Sequence, residues 1–176
     1  RRDLPAELAE ALAPHGIRLC LYATSGAPAG DPAAVEALGW EWGFEGDWPG
    51  GHGSRPRTGK RLEEFQRKWE DIVREWSLRW GKKVHAWWID GCYAADRMYR
   101  HASAPNFRSF AEAMKAGNPD SLVAFNPGVR NPVVSITEYE DYTSGEISNT
   151  LPTNGAEPCV IPVKRRVKGA QYHILT

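Results

Sequence analysis

Apolar positions recur at three- and four-residue spacing in three stretches of this chain, and short apolar blocks stand between them. Leu4, Leu8 and Leu12 mark the first stretch. They predict a helix over residues 3–15, with Asp3 as its cap, Pro5 in its first turn and Gly16 as its stop. Ile17 to Thr24 follows as a strand, since it is dense in branched and aromatic residues and has no helical period. In the second stretch Leu62, Phe65, Trp69, Ile72, Val73, Trp76 and Trp80 share one helical face. Arg61, Glu64, Lys68, Asp71, Arg74 and Glu75 share the other. This predicts a helix over 61–80 whose aromatic stripe is core. Gly81 closes it, and a strand over 84–89 follows. Phe107, Phe110 and Met114 mark a third helix over about 106–116, broken at Asn118-Pro119. Ser121 to Phe125 is the next strand and ends on Asn126-Pro127-Gly128.

Two regions lack this regularity. Residues 25–60 are dense in Gly and Pro, with Trp40, Trp42, Phe44 and Trp48 between them. They read as one long loop holding a short helix near Pro32–Leu38. Long ordered loops after strands often carry function, although these aromatics could equally fasten the loop to the body. After residue 128 the helical signal fades. Val133–Thr137 reads as a strand, 139–159 as polar and turn-rich, and 159–163 and 170–176 as extended pieces. Repeated alternation of helix and strand predicts an α/β fold with a parallel sheet. Three or four such units amount to a partial (β/α)8 TIM barrel, roughly half to two-thirds of one, since a whole barrel takes about 250 residues. The expectation is a single partial catalytic barrel domain over 1–176.

Composition narrows the function classes. Lys+Arg and Asp+Glu are both 22 among 176 residues, so no electrostatic footprint for nucleic acid or an anionic membrane is expected. The run Lys164-Arg165-Arg166-Val167-Lys168 is short and reads as a solvated face. No apolar run is long enough to span a membrane. The three cysteines, Cys20, Cys92 and Cys159, have no metal-ligand spacing, and the five histidines show no paired spacing. Neither a metal nor a cofactor is therefore expected. Eight tryptophans are many for this length, and Trp stacks on the apolar faces of sugar rings as well as filling cores. The start at Arg1-Arg2-Asp3 and the stop on a strand suggest a piece of something longer. An open sheet edge in such a piece would invite association, including with a second copy.

The chemistry gathers at the ends of strands. Val84 to Tyr93 reads as a buried strand that ends on Asp90, then Gly91, then aromatic surface. Carboxylates at strand tips are how an α/β barrel presents catalytic acids, and glycoside hydrolysis needs two of them. A strand-ending Asp also caps a helix or starts a turn, which is the plain alternative. Residues just past the other strand ends are Tyr22, Thr24, Tyr93, Asn126, Glu138, Glu140 and Asp141, with Glu146 and Glu157 further on. Asp90 is the nucleophile candidate, because a strand holds its geometry. Trp87 and Trp88 point to opposite faces of the sheet, so only one faces the interior, and Trp88 joins the substrate-binding set. Tyr22, Trp40, Trp42, Trp48, His52, Tyr93 and Asn126 complete that set. His85 reads as a core histidine, and His15 and His101 as helix-flank residues. Solvation alone would account for Glu138, Glu140 and Glu146.

Several of these segments resemble glycoside hydrolase family 29, the α-L-fucosidases. Residues 3–24 resemble that family's helix-then-strand segment, where the strand has the form G-L-K-x-G-x-Y-x-S. Trp88-Ile89-Asp90-Gly91 resembles its W-x-D-G strand end, and the resemblance implies that Asp90 is the nucleophile. Asp141 to Glu146 is similar to the family's D-[FY]-x-T-x-E stretch. Glu157-Pro158-Cys159 is similar to its W-E-x-C segment, which carries the acid/base Glu, although Ala156 stands where that family has Trp. Glu138, Glu146 and Glu157 all remain acid/base candidates. The K-H-H-D-G-F segment that supplies sugar-binding histidines in the family would lie upstream of Arg1.

The resemblance implies a retaining hydrolase of terminal α-L-fucosides, with its two carboxyls roughly 5–5.5 Å apart and a carbohydrate as its partner. For the family it also implies secretion or a periplasmic place, although the residues themselves specify no location. The competing readings are another barrel glycosidase with a different sugar preference, and a carbohydrate-binding barrel fragment without catalysis.

Overall fold

The computed structural model describes residues 2–26, 31–41, 60–92, 98–126, 128, 133–146, 160–161 and 172–175. Helix α1 (Leu4–Leu12) begins where the Asp3 carboxylate accepts from the Ala6 N–H at 3.3 Å. It tightens into a 3-10 turn over Ala13–His15, and Gly16 ends it at φ 69, a left-handed angle that suits glycine. Strand β1 (Leu19–Thr24) follows, then α2 (Pro32–Leu38), capped by Asp31 through the N–H groups of Ala33 and Ala34. Helix α3 (Glu63–Trp80), strand β2 (Val84–Asp90), helix α4 (Phe107–Lys115) and strand β3 (Leu122–Phe125) complete the alternation read from the sequence. The four later strands are short: β4 (Val133–Val134), β5 (Thr143–Glu146), β6 (Val160–Ile161) and β7 (Tyr172–Leu175). Strand β5 falls inside a stretch read as turns, because Thr-Ser-Gly-Glu has little apolar signal of its own.

β1, β2 and β3 form one parallel sheet in that order. β4 pairs with β6, and β5 with β7, each pair also parallel. The expected α/β class with a parallel sheet is therefore present. The described strands make three sheets rather than one continuous barrel wall.

The register fixes which side chains share a face. Tyr22 lies opposite Trp88, and Trp88 opposite Ala124, while Thr24 lies opposite Asp90. Successive side chains alternate across a sheet. Leu21, Ala23, Trp87, Ile89, Val123 and Phe125 thus turn to the helices, where they meet Phe65, Trp69, Val73, Phe110 and Met114 in the core. Tyr22, Trp88, Asp90 and Asn126 turn the other way. β1 is an edge strand among the described residues, and Leu4, Leu8 and Ile17 nearby are exposed.

Helix α3 carries the expected aromatic stripe, and it buries a polar line as well. Gln66, Glu70 and Ser77 are buried and find partners in the Met98 carbonyl, the Ser109 hydroxyl and the Met114 carbonyl. Its i,i+4 ion pairs, Glu63–Arg67, Glu64–Lys68 and Glu75–Arg79, stand in solvent, where screening and side-chain entropy leave them little net worth. Burying one large apolar side chain is worth about 1.5–3 kcal/mol, so packing rather than charge seats this helix. The approach of α3 to the end of α4 is close enough to require glycine. The Gly117 N–H donates to the Ser77 hydroxyl at 2.9 Å. A Cβ at that position would lie 1.8 Å from the Ser77 carbonyl oxygen.

Candidate active site

Asp90 is the last residue of β2, and three donors meet its carboxylate. The Tyr22 hydroxyl donates to Oδ2 at 2.6 Å. The Gly91 N–H donates to Oδ1 at 2.7 Å, and the Asn126 amide donates to the same oxygen at 2.9 Å. These donors come from the strands on either side and from the residue that follows. The sheet register therefore brings Tyr22 and Asn126 to Asp90. Gly91 lies at φ 76, a left-handed angle that suits glycine. A Cβ there would also press on the Ser25 hydroxyl at 3.3 Å.

Asn126 is pinned in its turn. Its N–H donates to the Ile89 carbonyl at 2.7 Å, and its side-chain oxygen accepts from the Gly128 N–H at 2.9 Å. That second bond fixes which end of the amide faces Asp90. Tyr22 is 64% exposed, so this face of the sheet tip is open to solvent.

A carboxylate with three donors is held in one orientation. One oxygen carries two hydrogen bonds and the other carries one. Oδ2, bonded only to the Tyr22 hydroxyl among these donors, keeps the capacity to approach an electrophile. The arrangement suits a nucleophile or an electrostatic stabiliser of positive charge at carbon.

The sequence-derived set divides on this geometry. Asp90, Tyr22 and Asn126 come together at the tip. Trp88 shares their face one step down the strand, buried beside Tyr22 and Ala124. Trp40 does not join them. It is 7% exposed, its ring centroid is 4.6 Å from that of Phe65, and it lies against Gly26. It fastens the end of α2 onto α3, so its expected place in a sugar platform is corrected to one in the core. Glu138 is exposed on a turn after β4, and Glu146 is the final residue of β5. Trp42, Trp48, His52, Tyr93 and Glu157 lie outside the described residues.

Two other strand-end acids are structural. Glu140 is 2% exposed and accepts from the Phe125 N–H at 3.3 Å and the Ile136 N–H at 3.1 Å. Solvation therefore does not account for it. Asp141 accepts from the Val123 N–H at 2.9 Å and pairs with Lys115 at 2.7 Å. Its own N–H donates to the Val123 carbonyl at 2.7 Å. Together they satisfy the outer edge of β3 in place of a neighbouring strand. Among the described residues no three His, Cys, Asp or Glu side chains converge as a metal site would require, and no helix is long and apolar enough to cross a membrane.

Sequence reasoning missed the groups that hold the β1 end. The Trp69 indole N–H donates to the Thr24 carbonyl at 2.9 Å, and the Tyr99 hydroxyl donates to the Ser25 carbonyl at 3.0 Å. Trp69 was legible only as core. Nothing in the sequence marks Tyr99, which reaches Ser25 across 74 positions.

No family model matches the chain, and no curated protein matches it in sequence. Among solved structures, its fold is similar to that of a variant of MfFcnA4, an endo-fucoidan hydrolase from glycoside hydrolase family 107. The TM-score is 0.54 and the sequence identity 24%. The match covers 78% of this chain and 23% of that one, so the chain spans about a quarter of the length of the protein it resembles. MfFcnA4 itself matches with a TM-score of 0.47 at 22% identity over 78% of this chain and 23% of that one. MfFcnA9, of the same family, matches with 0.46 at 22% over 77% and 27%. The fold is thus one found in a glycoside hydrolase family, and that family is 107, whereas the sequence motifs pointed to family 29.

Proposed function

We propose that this chain carries the nucleophile side of a retaining glycoside hydrolase site that cleaves α-L-fucosyl bonds. The observation that carries the reading is the Asp90 carboxylate at the tip of a parallel strand, held by Tyr22, Gly91 and Asn126. The likeness of fold to an endo-fucoidan hydrolase and the W-x-D-G resemblance to α-L-fucosidases support the same sugar from two directions. On this reading β1, β2 and β3 are successive strands of a (β/α)8 barrel, whose reactive groups gather at the C-terminal ends of the strands.

Oδ2 of Asp90 attacks the anomeric carbon and the glycosidic bond breaks, which leaves a glycosyl ester on the enzyme. The Gly91 and Asn126 donors stay on Oδ1, which becomes the ester carbonyl oxygen. The Tyr22 bond to Oδ2 weakens as that oxygen gives up its charge to the ester bond. A second carboxyl protonates the departing oxygen, then takes a proton from the water that attacks the anomeric carbon, which breaks the ester and restores the Asp90 carboxylate. Glu146, at the end of β5, is our first assignment for it, with Glu138 and Glu157 as the other candidates. Trp88 lies below the reacting centre, on the same face.

A 2-deoxy-2-fluoro-α-L-fucosyl fluoride tests the reading directly, because it forms the ester but hydrolyses slowly. Peptide mass spectrometry is expected to find the fluorofucosyl group on Asp90, and to find no adduct in Asp90→Asn. A label on another residue, or none above the variant's background, would overturn the assignment. Release of aryl alcohol from an aryl α-L-fucoside, compared with chain shortening of a fucan, separates terminal from internal cleavage.

A further inference from the structure

We propose that Tyr99 and Trp69 are positioning residues for Asp90. By holding the carbonyls of Ser25 and Thr24, they keep the end of β1 where the Tyr22 hydroxyl stays on Oδ2. The inference rests on the reading of Asp90 as the nucleophile.

The end of β1 has three anchors. The Ser25 N–H donates to the Asp90 carbonyl at 2.7 Å, which extends the β1–β2 ladder by one step. The Trp69 indole holds the Thr24 carbonyl, and the Tyr99 hydroxyl holds the Ser25 carbonyl. Thr24 is the last register pair of β1, opposite Asp90, and Ser25 lies just beyond it; side chains rather than a neighbouring strand supply both bonds. Tyr22 is two residues back on the same extended backbone, and its long side chain magnifies any tilt of that segment. A small swing at Ser25 becomes a lost hydrogen bond at the Tyr22 hydroxyl.

Both anchors are rigid. Trp69 sits on α3 and packs edge-on against Trp76 at 5.7 Å. Tyr99 is 1% exposed, stacks on Phe110 at 4.9 Å and packs at a tilt against Phe107 at 5.6 Å. Burial, with the Glu70 carboxyl nearby, pushes the Tyr99 hydroxyl well above the usual phenol range, so it remains a donor. Gln66, one turn before Trp69 on α3, donates to the Met98 carbonyl at 3.0 Å and so fixes the backbone beside Tyr99. One face of α3 therefore sets the β1 end directly through Trp69, and supports Tyr99 through Gln66.

The test reads the hydrogen bonding of the Asp90 carboxyl rather than turnover. The chain is labelled with 13Cγ-aspartate at one fixed pH, and the Asp90 signal is assigned from its loss in Asp90→Asn. Tyr22→Phe is expected to move the Asp90 carboxyl resonance, since one hydrogen bond to Oδ2 is gone. Tyr99→Phe keeps the ring packing, removes only the hydroxyl, and is expected to move the resonance the same way by about half as much, since the Tyr22 bond is only weakened. The double variant is expected to match Tyr22→Phe alone, because Tyr99 acts through Tyr22. Trp69→Phe gives the same comparison should Tyr99→Phe fold poorly, and Tyr139→Phe, on the exposed turn, is the control without effect. An unchanged resonance in Tyr99→Phe, or full additivity in the double variant, overturns the proposal. Because no substrate enters the measurement, that failure is distinct from failure of the fluorofucosyl label.

Discussion

The tip of β2 and the outer edge of β3 each hold a carboxylate in several hydrogen bonds, yet the two sites differ in the kind of donor they use. Asp90 receives two of its three bonds from side chains, the Tyr22 hydroxyl and the Asn126 amide, and stays partly exposed. Glu140 receives backbone N–H groups, those of Phe125 and Ile136, and is sealed from solvent. A buried N–H left without a partner costs about 1–3 kcal/mol, so Glu140 is needed for the fold. The Tyr22 hydroxyl stands in the open and could turn to water. On the proposed reading the donors gathered at Asp90 serve the reaction, whereas those at Glu140 serve the fold.

Three substitutions sharpen or break that contrast. Asp90→Asn is expected to lower hydrolysis of an aryl α-L-fucoside by a factor on the order of 10^4 or more. Its melting temperature should stay near that of the parent, since an amide oxygen still accepts from Gly91 and Asn126. Retained turnover, or a large loss of stability, would erase the distinction between the two acids.

Glu140→Ala should do the reverse. It leaves two buried N–H groups without their acceptor, and about 2–4 kcal/mol of stability should be lost in urea unfolding. In the fraction that remains folded, labelling of Asp90 should persist. A Glu140→Ala chain of full stability would show that the β3 edge does not depend on this carboxylate.

The smallest effect belongs to Glu70, a third acid that is 8% exposed between α3 and α4 and accepts from Ser109 at 2.8 Å. Burial pushes its pKa up to about 7, against the partial opposition of the Ser109 hydrogen bond. A carboxyl in the unfolded chain titrates near 4.3. Between these values the folded state binds more protons, so its stability is greatest below about pH 4 and falls as pH rises to about 7. Glu70→Gln removes that slope and should add about 1 kcal/mol at pH 8, a figure reduced for residual contact with solvent. Melting temperatures of the two chains between pH 4.5 and 8 check this, and parallel curves would rule it out.

The order of helices and strands up to residue 125 was legible because packing and periodicity agree there. The stripe from Phe65 to Trp80 on α3 and the Asp3, Asp31 and Gly16 boundaries each have a local physical cause. Asp90, Tyr22 and Asn126 were legible one at a time, as residues at strand ends. Other assignments needed more than local pattern. Trp40 looked like a ring for sugar because an aromatic in a Gly-rich loop has the same sequence whether it faces solvent or Phe65. Glu140 looked solvated because its partners are backbone groups 4 and 15 positions away.

The amino-acid order by itself determined the α/β alternation, the caps and stops of the helices, and the acid at the end of β2. Each of these follows from neighbours a few residues apart. Only the tertiary structure decided that Tyr22 and Asn126 share that acid, that Tyr99 and Trp69 brace the β1 end, and that Glu140 closes an edge rather than facing water. Those outcomes depend on strand register and on contacts between distant segments, which no local pattern encodes.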